Sequence, residues 1–161
     1  MSFRSAVLRP PGAKAEAEFL GRCVQCGQCA HVCPWQAVRL EGGLGIRRNT
    51  PVIRPHETPC WLCMKCPPVC PSGALDHSVT GMEQANMGRA VMLKDRCYNF
   101  TGGTMCWTCY DRCPLRGTAI ILQDGVLPTL TAQCVGCGVC EYVCPVQALV
   151  TIPREALSHA P

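Results

Sequence analysis

Apolar positions along this chain come in short bursts, and no helical or strand-like period persists for more than a few residues. Ala37-Val38-Arg39-Leu40, Glu41-Gly42-Gly43 and Leu44-Gly45-Ile46 predict a small hairpin. Ala119-Ile120-Ile121-Leu122, then Gln123-Asp124-Gly125, then Val126-Leu127 predict a second, with Asp-Gly as the turn. Ala90-Val91-Met92-Leu93 and Ala148-Leu149-Val150-Thr151-Ile152 read as single strands. A helix is predicted from Ala13 to Leu20 and a further helical turn from Met82 to Met87, while Pro153 onward reads as a frayed tail. No stretch approaches the ~18 apolar residues that a membrane helix needs.

Between these bursts lie the cysteines, 16 in a chain of 161 residues, in four groups that each close in Cys-Pro. Cys23, Cys26, Cys29 and Cys33 follow C-x2-C-x2-C-x3-C-P; Cys60, Cys63, Cys66 and Cys70 repeat it, as do Cys134, Cys137, Cys140 and Cys144. The third group, Cys97, Cys106, Cys109 and Cys113, keeps the last three positions but has eight residues after its first cysteine. This is the bacterial ferredoxin spacing, in which three thiolates hold one [4Fe-4S] cluster and the fourth reaches a different cluster. Cysteines at i, i+3 and i+6 let one wound loop offer three sulfurs to one cube. The next cysteine sits on a short helix that points it away, and the proline after it (Pro34, Pro71, Pro114, Pro145) fixes the departing chain. Gly27 and Gly138 follow the second ligand of their runs and permit positive φ; Met64 and Trp107 hold those places in runs two and three, which are therefore expected to wrap less tightly.

Composition narrows the function classes. Aromatic residues make up 6% of the chain, and the 48% hydrophobic fraction includes every cysteine, so side chains alone make a thin core. The formal charge of +4 would suggest an acidic partner, but four oxidised clusters with their thiolates, each adding about two negative charges, turn it to about −4. Lys and Arg then serve as partial compensation, and no basic run with interleaved aromatics points to nucleic acid. Structural zinc pairs two C-x2-C units across a longer loop, a pattern these runs do not follow. A radical S-adenosylmethionine site needs C-x3-C-x2-C, but position 36 is Gln. His31, His56, His77 and His159 read as surface or polar packing; Trp35, Trp61 and Trp107 read as shields against water; Lys65 reads either as raising the potential of its cluster or as a solvated lysine. No phosphate loop, catalytic triad or paired carboxylate stands out, so the protein is read as non-catalytic.

Several stretches together resemble a known family: C-V-x-C-G-x-C-x-x-V-C-P, Pro59-Cys60-Trp61-Leu62-Cys63, Cys70-Pro71-Ser72-Gly73-Ala74-Leu75, Met87-Gly88-Arg89-Ala90-Val91 and the long-spacer run from Cys97 through Cys106-Trp107-Thr108-Cys109-Tyr110-Asp111-Arg112-Cys113-Pro114-Leu115. Over residues 23 to 152 the chain resembles the NapG/MauM family of four-cluster ferredoxins, whose members are typically exported electron-transfer subunits. The first 22 residues carry neither a twin arginine nor an apolar export segment, which predicts a cytoplasmic protein instead. Small cytoplasmic subunits of tungsten-dependent aldehyde oxidoreductases are similar too, and that resemblance implies a tungsten- or molybdenum-pterin catalytic partner.

The expectation is thus an α+β fold of tandem bacterial-ferredoxin-like modules, with residues 1–22 an N-terminal extension, 23–152 the four-cluster domain and 153–161 a tail. CVQCGQCAHVCPWQAV and CVGCGVCEYVCPVQAL agree at ten of 16 positions, which favours a nested duplication: an outer module from runs one and four around an inner module from runs two and three. The four-cluster subunits resembled point the same way. The expected ligand sets are Cys23, Cys26, Cys29 with Cys144; Cys134, Cys137, Cys140 with Cys33; Cys60, Cys63, Cys66 with Cys113; and Cys97, Cys106, Cys109 with Cys70. Sequential pairing, run one with two and three with four, is the alternative. The function expected is an electron-transfer subunit in a hetero-oligomer, between a catalytic redox subunit and a second electron donor or acceptor protein, without membrane insertion or nucleic acid; a free-standing soluble polyferredoxin is the competing reading.

Overall fold

The computed structural model describes residues 7–42 and 44–157. It is a small α+β structure of six short helices and three separate two-stranded antiparallel sheets. Helices α1 (Glu16–Arg22), α2 (Gln28–His31), α3 (Tyr98–Thr101), α4 (Thr108–Asp111), α5 (Val139–Val143) and α6 (Arg154–Leu157) are joined by strands β1 (Val38–Leu40), β2 (Pro51–Ile53), β3 (Gly88–Met92), β4 (Ile120–Gln123), β5 (Leu127–Leu130) and β6 (Leu149–Pro153). Strand β1 pairs with β2, β3 with β6 and β4 with β5.

The second predicted hairpin forms as expected: Asp124 and Gly125 take φ of 52° and 73°, the left-handed pair that matches the twist of β4 and β5. The first hairpin forms with a different partner. Val38 faces Ile53 and Leu40 faces Pro51, while Leu44 and Ile46 stand exposed in the connecting loop. Burial decides this register, because Val52 and Ile53 can both be sequestered, whereas the Leu44-Gly45-Ile46 stretch has only two apolar side chains and a glycine to offer. The two predicted single strands find each other as β3 and β6, with Ala90 opposite Thr151 and Met92 opposite Leu149.

Residues expected to form an extension are instead built into the body. Leu8 is buried, bridges Ile53, and accepts the Ile53 N–H at 2.8 Å. Helix α1 begins later than predicted, at Glu16, with Glu16 and Glu18 in its first turn and Arg22 in its last, both favourable to the helix dipole. It points Phe19 inward to complete burial, which contributes about 1.5–3 kcal/mol. The predicted turn at 82–87 is a 3-10 turn, Met82–Gln84. The chain after Pro153 is ordered through α6: the Arg154 N–H donates to Met87 O at 3.0 Å and its guanidinium to Ala13 O and Lys14 O. His159 lies outside the described residues.

Arg9 ties these parts together. Only 5% exposed, it donates to both Glu16 carboxylate oxygens (2.7 and 2.9 Å), Thr50 Oγ1 and Pro51 O (each 2.9 Å), and its guanidinium lies 4.6 Å from the centre of the Phe19 ring. Burial works to raise the Glu16 pKa, but Arg9, with Arg47, holds it below the usual carboxylate value. Replacing Arg9 with Met leaves the part-buried Glu16 carboxylate to Arg47 and takes the donor from the Pro51 carbonyl and the Thr50 hydroxyl, so Arg9→Met is expected to cost about 1–3 kcal/mol, read as a lowered denaturation midpoint in urea with the holoprotein.

The interior divides into two packed groups. One gathers Phe19, Val38, Ile53, Leu62, Leu75, Met87, Val135 and Val139 around Cys29, Cys60, Cys66 and Cys137. The other gathers Ala90, Ile120 and Leu149 around Cys109 and Cys140. In each, cysteines occupy the place of a hydrophobic centre.

Candidate functional site

Runs one, two and four are loops whose backbone turns left-handed between the ligands. In run one Gln25 and Gly27 have φ of 57° and 74°, and in run four Gly136 and Gly138 have 71° and 82°. Run two repeats this with Leu62 and Met64, both at 54°. The looser wrapping expected there is not found: Met64 accepts the unfavourable conformation at roughly 1–2 kcal/mol, a strain stored at a functional loop. Run three does differ, with Trp107 at φ −118°.

Its long spacer is absorbed by α3, closed by Gly102 in the left-handed region. Asn99 staples the ends of the excursion: its Oδ1 accepts the Cys106 N–H at 2.6 Å, and its Nδ2 donates to Cys106 O at 2.9 Å and Val126 O at 3.0 Å. The Trp107 indole N–H reaches the same Val126 carbonyl at 3.1 Å. The extra residues bulge outward, and Cys97 and Cys106 stand where first and second ligands belong. Asn99 carries no motif that would single it out in the sequence, because its role depends on how the spacer folds.

The thiols gather into four groups, and the pairing is sequential. Cys23, Cys26, Cys29 and Cys70 line one cavity with Phe19 and Leu75. Cys134, Cys137, Cys140 and Cys113 line another with Ile120 and Val139. Cys33 packs on the group that holds Cys60 and Cys66, and Cys144 on the group that holds Cys109. The nested sets are therefore corrected: Cys70 replaces Cys144 beside Cys23, Cys26 and Cys29; Cys33 joins Cys60, Cys63 and Cys66; Cys144 joins Cys97, Cys106 and Cys109; Cys113 joins Cys134, Cys137 and Cys140. The reason is the path of the chain. The β1–β2 hairpin and the 7–22 strap fold run two back onto run one, and α4 packs on α5 to join runs three and four. The likeness of runs one and four reflects the shared glycine that shapes each loop, which says nothing about which fourth cysteine reaches it.

Burial shapes the chemistry of these thiols. It pushes Cys29 and Cys109 up to about 11 and Cys60 and Cys137 up to about 12, with neighbouring sulfurs adding to the effect. Cys66 and Cys140 rise for the same reason. At Cys70 burial also works upward, but the Leu75 N–H and the Ser72 hydroxyl outweigh it and bring the thiol below its ordinary value. The raised thiols become thiolates at neutral pH by binding cations. Among the described residues no set of three or more His, Cys, Asp or Glu side chains converges tightly enough for a single metal ion. Three thiols from one loop and a fourth from the neighbouring run in one cavity match the ligand supply of a cluster with an iron for each sulfur.

Backbone donors complete the fit. Leu75 N–H points at Cys70 Sγ (3.4 Å), Ala90 N–H at Cys134 Sγ (3.3 Å) and Ala148 N–H at Cys144 Sγ (3.2 Å), while the Thr108 hydroxyl lies 3.5 Å from Cys106 Sγ. Hydrogen bonds to ligating sulfur stabilise the more negative, reduced state and tune potential. Trp35 and Trp61 meet with ring centres 5.6 Å apart. Of the histidines, His77 bonds Cys70 O at 2.6 Å and His56 sits near Glu57, so neither stands among the thiols.

Comparison with known proteins agrees with this geometry. A 4Fe-4S dicluster domain matches residues 22–74, spanning runs one and two together, and a 4Fe-4S binding domain matches residues 131–150. The chain is 40% identical to the methylamine utilization ferredoxin-type protein MauM of Methylorubrum extorquens, over 92% of this chain and 73% of that protein. It is 40% identical to the ferredoxin-type protein NapG of Escherichia coli over 85% of this chain and 65% of that protein. The ferredoxin-type protein NapF of Escherichia coli is 30% identical over 88% of this chain and 82% of its own length. With loops, thiol groups and relatives in agreement, the chain belongs to the MauM/NapG family of ferredoxin-type electron-transfer proteins and binds multiple [4Fe-4S] clusters.

Proposed function

We propose that this chain is a non-catalytic electron-transfer subunit that holds four [4Fe-4S] clusters and relays single electrons between a catalytic oxidoreductase and a second redox protein. The observation that carries this reading is the pair of cavities that each join three thiols of one run to the fourth of its neighbour, Cys70 beside Cys23, Cys26 and Cys29, and Cys113 beside Cys134, Cys137 and Cys140. The clusters supply one-electron redox chemistry. The protein's part is to bury them, aim N–H groups at their sulfur ligands and hold them close in pairs. Among the described residues no helix is long and apolar enough to cross a membrane.

The partner remains a proposal at the level of class. The names of the relatives speak of methylamine utilization and of ferredoxin-type proteins, and none lends support to the expected tungsten- or molybdenum-pterin partner. The cytoplasmic setting belongs to the same proposal, supported by a thiol set that must stay reduced for cluster assembly; cell fractionation tests it. The test of function is a coulometric titration under argon, with about four electrons taken up reversibly per chain. Uptake of one electron or none overturns the four-cluster relay, and purification of the protein only as a free monomer favours the soluble-carrier reading over a subunit.

A further inference from the structure

The four cysteine cages are not strung in the order of the sequence. Cys29 of the run-one cage and Cys66 of the run-two cage lie in the same packed group. From run two the next neighbour is run four: the Cys60 N–H donates to Cys137 O at 2.9 Å, and Cys137 shares the first packed group although its run lies some 70 residues on. Cys140, three residues later on α5, sits with Cys109 of α4 in the second packed group. Among the described residues the first packed group holds cysteines of runs one, two and four and none of run three, whose Cys109 lies in the second.

We propose that electrons traverse the chain in the order run one, run two, run four, run three, with the Cys60–Cys137 contact as the single crossing between the two halves. This inference rests on the four-cluster reading above. At each hop one cage gives up a single electron and the next gains it, with no bond formed and no proton moved, so the relay needs only a one-electron reductant at one end and a one-electron oxidant at the other. The crossing is held from both sides. Gly138 packs against Pro55, with room for no side chain: a Cβ there falls 2.4 Å from Pro55 Cβ. Val135 O accepts the N–H groups of Met87 and Gly88 at 2.9 and 3.2 Å. Run four is thereby seated against the first half, and run three is left as a terminus.

Magnetic coupling between reduced clusters reads this order directly. Cys134→Ala and, independently, Cys113→Ala each remove the run-four cage from the dithionite-reduced holoprotein, with iron counted in the same samples. The expected electron paramagnetic resonance spectrum then contains one sharp, isolated cluster signal from run three beside a still-coupled pair from runs one and two. Cys106→Ala, which removes the run-three cage, is expected to leave three clusters all coupled and no isolated signal. An isolated signal in Cys106→Ala and none in Cys134→Ala or Cys113→Ala overturns the order. A wild-type protein lacking four clusters' worth of iron instead overturns the reading on which the order rests.

Discussion

Removal of iron by chelation from the anaerobically purified protein is expected to abolish its cooperative thermal transition and its near-ultraviolet circular dichroism. Strands of three to five residues and helices of four to seven cannot stabilise a fold by themselves. The packed groups that organise the interior are centred on cysteines, so loss of the clusters leaves cavities where a core should be, and cluster binding is folding free energy. The pH dependence of the apo chain has a definite sign. Burial raises the folded thiols, Cys60 and Cys137 to about 12 against an ordinary 9.0. Residual apo structure is thus most stable below pH 9.0 and is lost as pH rises toward 12, because the unfolded chain ionises first. A chelated protein that kept a sharp transition, or gained stability between those values, contradicts this account of the core.

Gly136→Ala should also destabilise the protein, although it adds one methyl group. Gly136 has φ of +71°, and a Cβ there falls 2.4 Å from Gly88 C and 2.6 Å from both Gly88 Cα and N. All three contacts are backbone, so no flexible side chain can move aside. The left-handed conformation alone costs about 1–2 kcal/mol and the overlap about 1–3 kcal/mol more, against a total stability of about 5–15 kcal/mol for a domain. Separation of the loop from β3 also breaks the paired N–H donations of Met87 and Gly88 to Val135 O. The expected outcome is a fall of several degrees in melting temperature with selective loss of iron from the run-four cage. Gly21→Ala, inside α1 with nothing within 4 Å of its Cβ, is the control and should be neutral or stabilising. Equal melting temperatures for the two variants would show that the close approach of run four to β3 carries no weight.

The ligands were legible in the sequence because cluster chemistry fixes their spacing, and the 120–130 hairpin was legible because Asp124-Gly125 accepts one turn geometry. The pairing of runs was not. Fourth ligands are delivered by tertiary folding, by the β1–β2 hairpin on one side and the α4–α5 packing on the other, and no local pattern records that. The strap from Leu8 to Arg22 looked like an extension since its anchors, Arg9 to Thr50 and Ala13 to Leu75, span 41 and 62 residues of sequence. Met64 misled in the opposite direction: glycine is the easy way to a left-handed turn, and the surrounding loop imposes that turn on methionine regardless.

Iron and acid-labile sulfide analysis of the protein purified without oxygen tests the central claim most directly. Four groups of four thiols predict about 16 iron and about 16 sulfide per chain, with zinc absent. Four irons or fewer, or zinc in stoichiometric amount, would contradict it.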